Sequence, residues 1–350
     1  MTPFTRPGLV ATLIVALLLG GCASVGPSSV SRDRFDYNGE VARSWKEQTL
    51  LNIVKTRYLD IPVFLEVAQI VSGYTLESAV SLGATDYSSG AASDILSLGA
   101  QGKWTDRPTI TYTPLTGAQF NRNMLTPIPP AAVLFMMQAG WPVDVIFRIV
   151  VSSINGIDSG GAEAVRYEQL LKRMRALQKA QVLGMRVQAD RPEQQVVVLF
   201  FRQRALTGEQ EAMLKEVRDM LGLAPDRREF SVAFGAVPAH DGEIALLTRS
   251  MIQIFVDLGA YVEVPEADLS EGRAPPGPAP AAAGAGQLRV KYSRERPANA
   301  LVMVKHRDGW FWIDDRDLES KRIFAVVMLF STLSESGARE SLPLVTIPAG

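Results

Sequence analysis

The sequence predicts an α+β fold, a mixed β-sheet with helices packed on it, preceded by a signal peptide and a short flexible tether. The main observation is that helical hydrophobic spacing alternates with short β-prone runs over residues 163–264, in the order αββαβαβ. The composition, 47% hydrophobic and 21% charged over 350 residues, is ordinary for a globular protein. This length suffices for one large or two ordinary domains.

The charge balance and the rare residue types exclude several function classes. Lys and Arg number 36 against 37 Asp and Glu, so the chain lacks the basic excess of a nucleic-acid partner. One Cys allows no intramolecular disulfide, and two His make a His-rich metal site unexpected. Phosphate-binding and dinucleotide-binding glycine motifs are absent as well. We therefore expect no metal and no cofactor.

The first 22 residues have the pattern of a lipoprotein signal peptide, which we assign to residues 1–21. Arg6 precedes an apolar run at residues 9–19, shorter than the about 20 residues that a transmembrane helix needs. Leu19-Gly20-Gly21-Cys22 resembles a bacterial lipobox, and Cys22 is the only Cys of the chain. The resemblance implies cleavage before Cys22, a diacylglycerol on its sulfur and acylation of the new N-terminus.

The residues after Cys22 predict where the anchor takes the protein. Ala23 and Ser24 follow Cys22, whereas an Asp there resembles the inner-membrane retention signal of Gram-negative lipoproteins. Two or more acyl chains anchor a protein stably. We therefore expect residues 22–40 to form the lipid anchor and a tether, flexible over the small, Ser-rich residues 23–31. The expected location is the periplasmic face of the outer membrane.

Residues 41–130 are expected to contain an N-terminal helix and a β-hairpin region. Apolar residues recur at near-helical spacing over residues 41–57. Residues 63–71 and 73–82 are mostly apolar or loosely alternating, and residues 109–112 are β-prone, so we expect strands there.

The Gly-, Ala- and Ser-rich residues 84–102 leave two interpretations open. They form either a surface hairpin or mobile loop, or a long hairpin that pairs with neighbouring subunits or inserts in a bilayer as part of an oligomer. A bilayer-inserted strand needs about 10 residues and a clear apolar face. The apolar face predicted here, Val80, Leu82 and Ala84, is thin.

Residues 131–264 are expected to form a helical hairpin and the α+β body. The hairpin would have helices at residues 131–139 and 143–154, with a corner at Gly140-Trp141-Pro142. Thr207 and Gln210 have capping-box spacing, which predicts a helix starting there. The other elements expected in the body are helices at residues 163–181 and 241–258 and strands at residues 185–189, 195–201, 229–235 and 260–264.

Residues 265–287 are expected to form a Pro/Ala/Gly linker or loop, because the segment has few large side chains to bury. Residues 288–350 would complete the body with a β-hairpin, a helix and a strand. Asp308-Gly309 marks the hairpin turn, and the helix begins near Asp317. The strands expected in this region are residues 287–293, 300–306, 310–313 and 344–347.

The candidate binding surface is Trp310, Trp312, Asp314 and Asp315. Aromatic rings beside carboxylates can bind a sugar, and two acids can hydrolyse it; the spacing of an EF-hand calcium loop is absent. Alternatively, the acids complement the dipole of the following helix, with Asp317 as its N-cap. Trp310 and Trp312 share one face of a strand, and we expect that face to pack under the helix.

Catalytic motifs are missing from the sequence. Ile157-Asp158-Ser159-Gly160-Gly161 is similar to the nucleophile segment of trypsin-like proteases, but both His residues follow Ser159, whereas that family needs its His before the Ser. The nucleophile elbow of α/β-hydrolases does not occur. We therefore predict no catalytic residue and no enzymatic activity.

Several segments resemble a family of uncharacterised proteobacterial envelope lipoproteins. The resemblance covers most of the mature chain and implies an envelope lipoprotein, and it carries no catalytic residue. Its segments are residues 50–58 (LLNIVKTRY), 60–65 (DIPVFL), 109–114 (TITYTP), 125–129 (LTPIP) and the helix at 317–330.

Together these observations predict a lipid-anchored bacterial envelope protein, a non-enzymatic binding or assembly component facing the periplasm. We expect the membrane, through Cys22, and other envelope proteins as its partners. The alternatives are a subunit of an oligomeric envelope export complex and an envelope enzyme acting on glycan or peptide.

Overall fold

The computed structural model describes residues 27–71, 74–85, 95–106, 109–191, 194–202, 206–278 and 287–335. The predicted signal peptide, Cys22 and the start of the tether lie outside these residues. The chain divides into two units, one made of Met1–Pro62 with Thr116–Gly350 and the other of Val63–Leu115. The helices and mixed sheets together form the α+β fold that the sequence predicts.

The unit Val63–Leu115 is built from two antiparallel strand pairs. We call this whole unit the ribbon. Strands β1 (Leu65–Val71) and β4 (Thr109–Pro114) pair, with a bulge in β1. Strands β2 (Tyr74–Thr85) and β3 (Ile95–Asp106) pair over their full length of 12 residues each. Of the segment at 84–102, residues 95–102 therefore belong to a strand of a long hairpin, and residues 86–94 lie outside the described residues.

The other unit contains a six-stranded sheet in the order β6-β5-β10-β9-β8-β7. Strands β9 and β10 are parallel and the remaining pairs are antiparallel, so the sheet is mixed, as predicted. The strands are β5 (Val151–Ile154), β6 (Ile157–Asp158), β7 (Leu183–Arg191), β8 (Gln194–Phe201), β9 (Glu229–Phe234) and β10 (Glu243–Thr248).

The helices of this unit bury the apolar faces that their spacing predicts. Helix α5 (Ala164–Lys179) buries Tyr167, Leu170, Leu171, Met174 and Leu177. Helix α6 (Gly208–Leu221) begins with the predicted Thr207 capping box and ends at Gly222, whose φ is +64°.

The predicted helical hairpin is present as α3 (Pro130–Gln138) and α4 (Val143–Val150). Residues 151–154 belong to strand β5 instead of extending the second helix, because their backbone pairs with β10. Gln178 fixes the corner: its amide donates to the carbonyls of Met137 and Trp141 and accepts from the N–H of Val143. A four-residue helix, α2 (Gly117–Phe120), and a π-helical turn (Asn121–Leu125) precede the hairpin.

The predicted helix at residues 241–258 is wrong in its first half. Strand β10 occupies Glu243–Thr248, and α7 spans only Met251–Gly259. The cause is a second capping box, in which the Ser250 hydroxyl accepts from the N–H of Gln253 while the Gln253 side chain accepts from the N–H of Ser250. The strand predicted at 260–264 does not form either.

The first helix, α1 (Pro27–Arg57), begins earlier than the residue 41 that the sequence predicts. Its last turns lie against α7, where the Thr56 hydroxyl donates to the Phe255 carbonyl at 3.0 Å. A Cβ at Gly259 would lie 2.2 Å from the Thr56 Oγ1, so the two helices approach at a position that only Gly fits.

Much of the predicted linker at 265–287 is packed against the body. Helix α8 (Glu266–Ser270) forms within it, and Ala274 is buried. The Arg57 guanidinium donates to the carbonyls of Val262 and Pro275, which ties this segment to the end of α1. The segment has few large side chains, but the Pro275 carbonyl and the Asp268 carboxylate supply contacts to the end of α1. Residues 279–286 lie outside the described part of the chain.

The C-terminal residues form a separate three-stranded antiparallel sheet in the order β11-β13-β12 and do not extend the six-stranded sheet. Its strands are β11 (Lys291–Ser293), β12 (Ala300–His306) and β13 (Gly309–Asp314), followed by helix α9 (Leu318–Glu335). The strand predicted at 344–347 lies outside the described residues. None of the helices within the described ranges combines the length and apolar character that crossing a bilayer requires.

Candidate functional site

The C-terminal hairpin positions the predicted site residues. Strands β12 and β13 are joined by a two-residue loop, with His306 paired to Gly309 and Arg307 at a φ of +52°. Gly309 is required for a close approach, because a Cβ there would lie 2.2 Å from Cε2 of the Tyr292 ring on β11. The hairpin forms where the sequence predicts it, but its loop residues are Arg307 and Asp308, and Gly309 is the first residue of β13.

Trp310 and Trp312 share one face of β13, as predicted, but that face is not the core. Phe311 and Ile313 point the other way and are 1% and 0% exposed, whereas both Trp residues are half-buried. The rings of Tyr58 and Tyr292 cover Phe311, with centroids 6.1 and 5.3 Å away. The expectation that the Trp face is core is therefore wrong.

Cations lie over both indoles on this outer face of the sheet. The Lys291 Nζ is 5.0 Å from the centroid of Trp312, and the Arg296 guanidinium is 5.6 Å from that of Trp310. Lys305, which pairs with Trp310 across the hairpin, is exposed. The outer face thus combines aromatic surface with positive charge, which suits an acidic or apolar ligand.

The carboxylates beside the Trp pair are held by basic and backbone donors. Asp314 is buried and accepts from the side chain and backbone N–H of Arg316 and from Lys291 at 3.1 Å. These bonds hold the pKa of the Asp314 carboxyl well below its usual range. Asp315 is exposed and accepts from Lys321 at 2.7 Å.

Asp317 caps helix α9, as predicted. It accepts from the backbone N–H and the hydroxyl of Ser320. Burial raises the pKa of Asp317, but these bonds together with the Arg289 cation lower it overall. The carboxylates of Asp314, Asp315 and Asp317 are thus all paired with basic or backbone donors. This matches the structural interpretation of these acids, one of the two that the sequence allows. Because their pKa values are lowered, Asp314 and Asp317 are poorly suited to general acid–base chemistry, which needs a carboxyl that titrates near the working pH.

The opposite, inner side of the same sheet lines a cleft that the sequence does not predict. Its volume is about 260 Å³. Tyr58, at the end of α1, donates a 2.7 Å hydrogen bond to the buried Asp268 of α8. The cleft is lined by Tyr58, Pro265, Ala267, Asp268, Arg273, Tyr292, Arg294, His306, Arg307, Asp308 and Gly309.

Two neutral rings lie side by side in the cleft, those of Tyr58 and His306, with centroids 5.4 Å apart. Burial and the Arg307 cation lower the pKa of His306, so its imidazole is neutral near pH 7. The His306 Nε2 is buried without a hydrogen-bond partner in the described part of the chain. Burial and the bond to Asp268 raise the pKa of Tyr58, which keeps its hydroxyl protonated.

Sequence reasoning missed this cleft because its parts come from distant positions. Tyr58 and Asp268 are 210 residues apart and belong to no shared motif. The one available signal was the cluster of Arg294, Arg307 and Asp308 near the predicted turn, which resembles ordinary surface charge. Within the described residues, no group of three or more His, Cys, Asp or Glu side chains could hold a metal ion.

Comparison with known proteins adds no relative: no protein-family model, no curated protein and no solved structure matches this chain.

Proposed function

We propose that this chain is a lipid-anchored protein of a bacterial cell envelope, a non-enzymatic assembly component that faces the periplasm. The lipobox-like sequence ending at Cys22 supports the anchor, and Ala23 and Ser24 support sorting to the outer membrane. The paired acids of the C-terminal hairpin favour binding over hydrolysis. The ribbon carries the assembly role.

The ribbon presents one apolar and one polar face. In the β1–β4 pair, Leu65, Val67 and Ile70 lie opposite Pro114, Tyr112 and Ile110, while Glu66 and Gln69 lie opposite Thr113 and Thr111. The apolar side is open: Leu65, Ile110 and Tyr112 are 42%, 41% and 55% exposed. An open apolar face of this kind usually marks an interaction surface.

The same alternation continues in the β2–β3 pair. Glu77 and Lys103 face each other across the pair and form an ion pair at 4.0 Å, and the exposed Ser81 shares their side. Most of the intervening positions are apolar: Leu76, Val80 and Leu82 pair in register with Trp104, Ala100 and Leu98, and only Ser78, opposite Gly102, is polar among them. A two-stranded hairpin is marginally stable alone in water. A long hairpin with one apolar and one polar face is therefore expected to associate with another protein surface.

The partner we assign to the ribbon is a second copy of this chain. Among the described strands, β2 and β3 pair only with each other, so each leaves one edge free, and free edges are templates for strand pairing. If β2 of one copy pairs with β3 of the next in the same register, Glu77 lies opposite Lys103 of the neighbour. This charge complementarity favours copies that pair edge to edge.

Disulfide cross-linking of the full-length lipidated protein tests this proposal. Because the Cys22 sulfur would be blocked by lipid, an introduced Cys would be the only thiol of the mature chain. Glu77→Cys protein is mixed with Lys103→Cys protein and oxidised. In two further mixtures the Cys on β3 replaces Gln101 or Gly99 instead of Lys103, which tests a shifted register between the copies. We expect disulfide-linked dimers in at least one mixture.

The control mixes Glu211→Cys with Lys172→Cys protein, two exposed positions on helices α6 and α5, and should give no dimer. The absence of dimers from every ribbon mixture, with a monomeric mass in light scattering, would contradict assembly through the ribbon.

A second candidate function is a subunit of an oligomeric envelope export complex. The observation that favours it is the strand length, since β2 and β3 have 12 residues each and membrane strands need about 9–11. In this case the apolar face of the ribbon contacts acyl chains. We expect the full-length lipidated protein to release dye from vesicles, Val80→Glu to abolish release, and Ser81→Glu, on the other face, to preserve it. Dye retention with the unaltered protein would leave only the assembly role.

We assign the outer face of the C-terminal sheet, with Trp310 and Trp312, to an acidic segment of another envelope protein. The cations Arg296 and Lys305 beside the indoles supply the complementary charge, whereas Lys291 is already paired with Asp314. Binding of a Glu-rich peptide should weaken in Lys305→Glu and persist in Arg322→Glu, an exposed charge on α9. Equal binding by both variants would exclude this face.

A further inference from the structure

We propose that the cleft on the inner side of the C-terminal sheet binds a small phosphate ester through the guanidinium groups of Arg294 and Arg307. The cleft lies in the unit that does not contain the ribbon. This inference therefore holds or fails independently of the assembly role.

The charge of the cleft points to an anion. Arg273 is already satisfied, because it pairs with Asp268 at 3.4 Å and with Glu271. Arg294 and Arg307, in contrast, have no carboxylate partner among the described residues, although both line the cleft. Two unpaired guanidiniums at one cavity can each bind two oxygens of a phosphate in their planar, forked geometry.

The position of Arg307 is set by the fold. It occupies the tight loop between β12 and β13 with a φ of +52°, and its guanidinium carbon lies 4.3 Å from the centroid of the Tyr58 ring. Stacking on an aromatic ring holds a guanidinium plane in place and leaves its edge free to donate. The cleft therefore has a pre-positioned donor group.

The His306 side chain supplies a second, independent indication of a ligand. Its Nε2 is buried without a hydrogen-bond partner within the described chain, and buried polar atoms in native proteins are nearly always paired. In the tautomer that carries its single proton on Nε2, the neutral imidazole can donate one hydrogen bond from this atom to a ligand oxygen.

The volume of the cleft and its remaining polar groups restrict the class of ligand that fits. The volume of about 260 Å³ lies below the about 300–1,000 Å³ of typical ligand pockets, so a whole nucleotide is too large. Asp268 and Asp308 can accept hydrogen bonds from hydroxyl groups, and the Tyr58 and Tyr292 rings offer flat apolar walls. A phosphate ester of a small polyol, such as glycerol phosphate, matches this chemistry. It occurs both as a free solute and as the headgroup of phosphatidylglycerol.

Calorimetry on the full-length protein in detergent tests the site with glycerol 3-phosphate as the probe. We expect Arg307→Gln and Arg294→Gln to weaken binding by about tenfold or more, since each removes charge-assisted hydrogen bonds. Arg322→Gln is the matched control, because Arg322 is an exposed arginine on helix α9 that does not line the cleft. It should leave the affinity unchanged. Arg294 lies in an exposed loop, so its variant is expected to fold even if Arg307→Gln does not.

A vesicle arm separates the two sources of the ligand. If phosphatidylglycerol vesicles compete with glycerol 3-phosphate, the site takes the lipid headgroup; if they do not, it takes the soluble ester; either result supports a phosphate site. Three results would overturn the proposal: no binding at millimolar concentration, equal loss in Arg322→Gln and Arg307→Gln, or binding of carboxylates such as citrate without binding of the phosphate ester.

Discussion

The Tyr58 hydroxyl donates a 2.7 Å hydrogen bond to the Asp268 carboxylate and so links the end of helix α1 to helix α8. Both residues are buried. Tyr58→Phe leaves a carboxylate oxygen without this donor, and we expect it to lower the free energy of unfolding by about 1–3 kcal/mol. Urea denaturation measures this change. Tyr112→Phe, at an exposed position, is the control and should leave stability unchanged.

The same pair predicts a response to alkali. Tyr in the unfolded chain ionises near pH 10, whereas burial and Asp268 raise the pKa of Tyr58 in the folded state. The unfolded state therefore loses its proton first, and stability should fall as the pH rises above about 10. In Tyr58→Phe this fall should be shallower; an identical slope would contradict a buried, protonated Tyr58.

Gly309 and Tyr292 are in close contact, so Gly309→Ala should destabilise the protein. The new methyl would lie 2.2 Å from the Tyr292 ring, and forced overpacking costs about 1–3 kcal/mol. In a double-mutant cycle, Tyr292→Ala should remove most of that cost. Gly208→Ala, where a Cβ meets no atom within 4 Å, should be neutral. Additive effects at 309 and 292 would show that the two residues are not in contact.

Phe311, rather than Trp310, is expected to dominate the stability of the C-terminal hairpin. Phe311→Ala should cost about 3–5 kcal/mol, the usual range for a fully buried aromatic ring. Trp310→Ala should cost about 1–2 kcal/mol because its side chain is only half-buried. Chemical denaturation of the two variants at neutral pH tests the order, and a larger loss for Trp310→Ala would reverse the assignment of faces.

The Asp314 carboxylate should make the protein sensitive to acid. Arg316 and Lys291 lower its pKa in the folded state, whereas an unfolded Asp titrates near 3.9. Its contribution to stability is thus complete above pH 4 and is lost as the pH falls toward the lower folded-state pKa. Asp314→Asn should be less stable than the unaltered protein at pH 7, and the difference should narrow below pH 4. Asp315→Asn, at an exposed position, is the control and should change stability at pH 7 much less.

Lipid attachment depends on a single atom in our proposal, the Cys22 sulfur. Cys22→Ser should abolish labelling by a radioactive or clickable fatty acid and leave the protein uncleaved or released from the membrane fraction. The sequence contains no other Cys to substitute. Labelling at an unchanged level in the variant would refute the anchor.

The elements that could be predicted from the sequence are those whose pattern is local. Helix α6 is bounded by the Thr207 capping box and by Gly222, and both signals lie within a few residues of the ends they define. Helix α7 carries the same kind of signal, because Ser250 and Gln253 have capping-box spacing. The prediction overlooked it, because the apolar residues before Ser250 suggested a longer helix. Residues 243–248 are apolar on both sides, which a buried strand and a helix share.

Tertiary contacts decided the remainder. The same-face placement of Trp310 and Trp312 follows from strand geometry, but which face is buried depends on Tyr58, more than 200 residues earlier in the chain. Likewise, residues 265–275 are held by Arg57, which donates to the Pro275 carbonyl, and by the Tyr58–Asp268 hydrogen bond. Both partners come from the distant helix α1 and its end, so composition alone suggested a free linker. The cleft has no local signature for the same reason.

The ribbon begins and ends at one point, since the Leu115 N–H donates to the Phe64 carbonyl at 3.0 Å. The ribbon is thus an insertion in the chain whose two ends are hydrogen-bonded to each other. The entropic cost of closing such an insertion grows only with the logarithm of its length, by about 0.6 kcal/mol for each doubling of the number of residues. Versions of the chain with a longer or shorter ribbon should therefore keep nearly the same stability in the other unit.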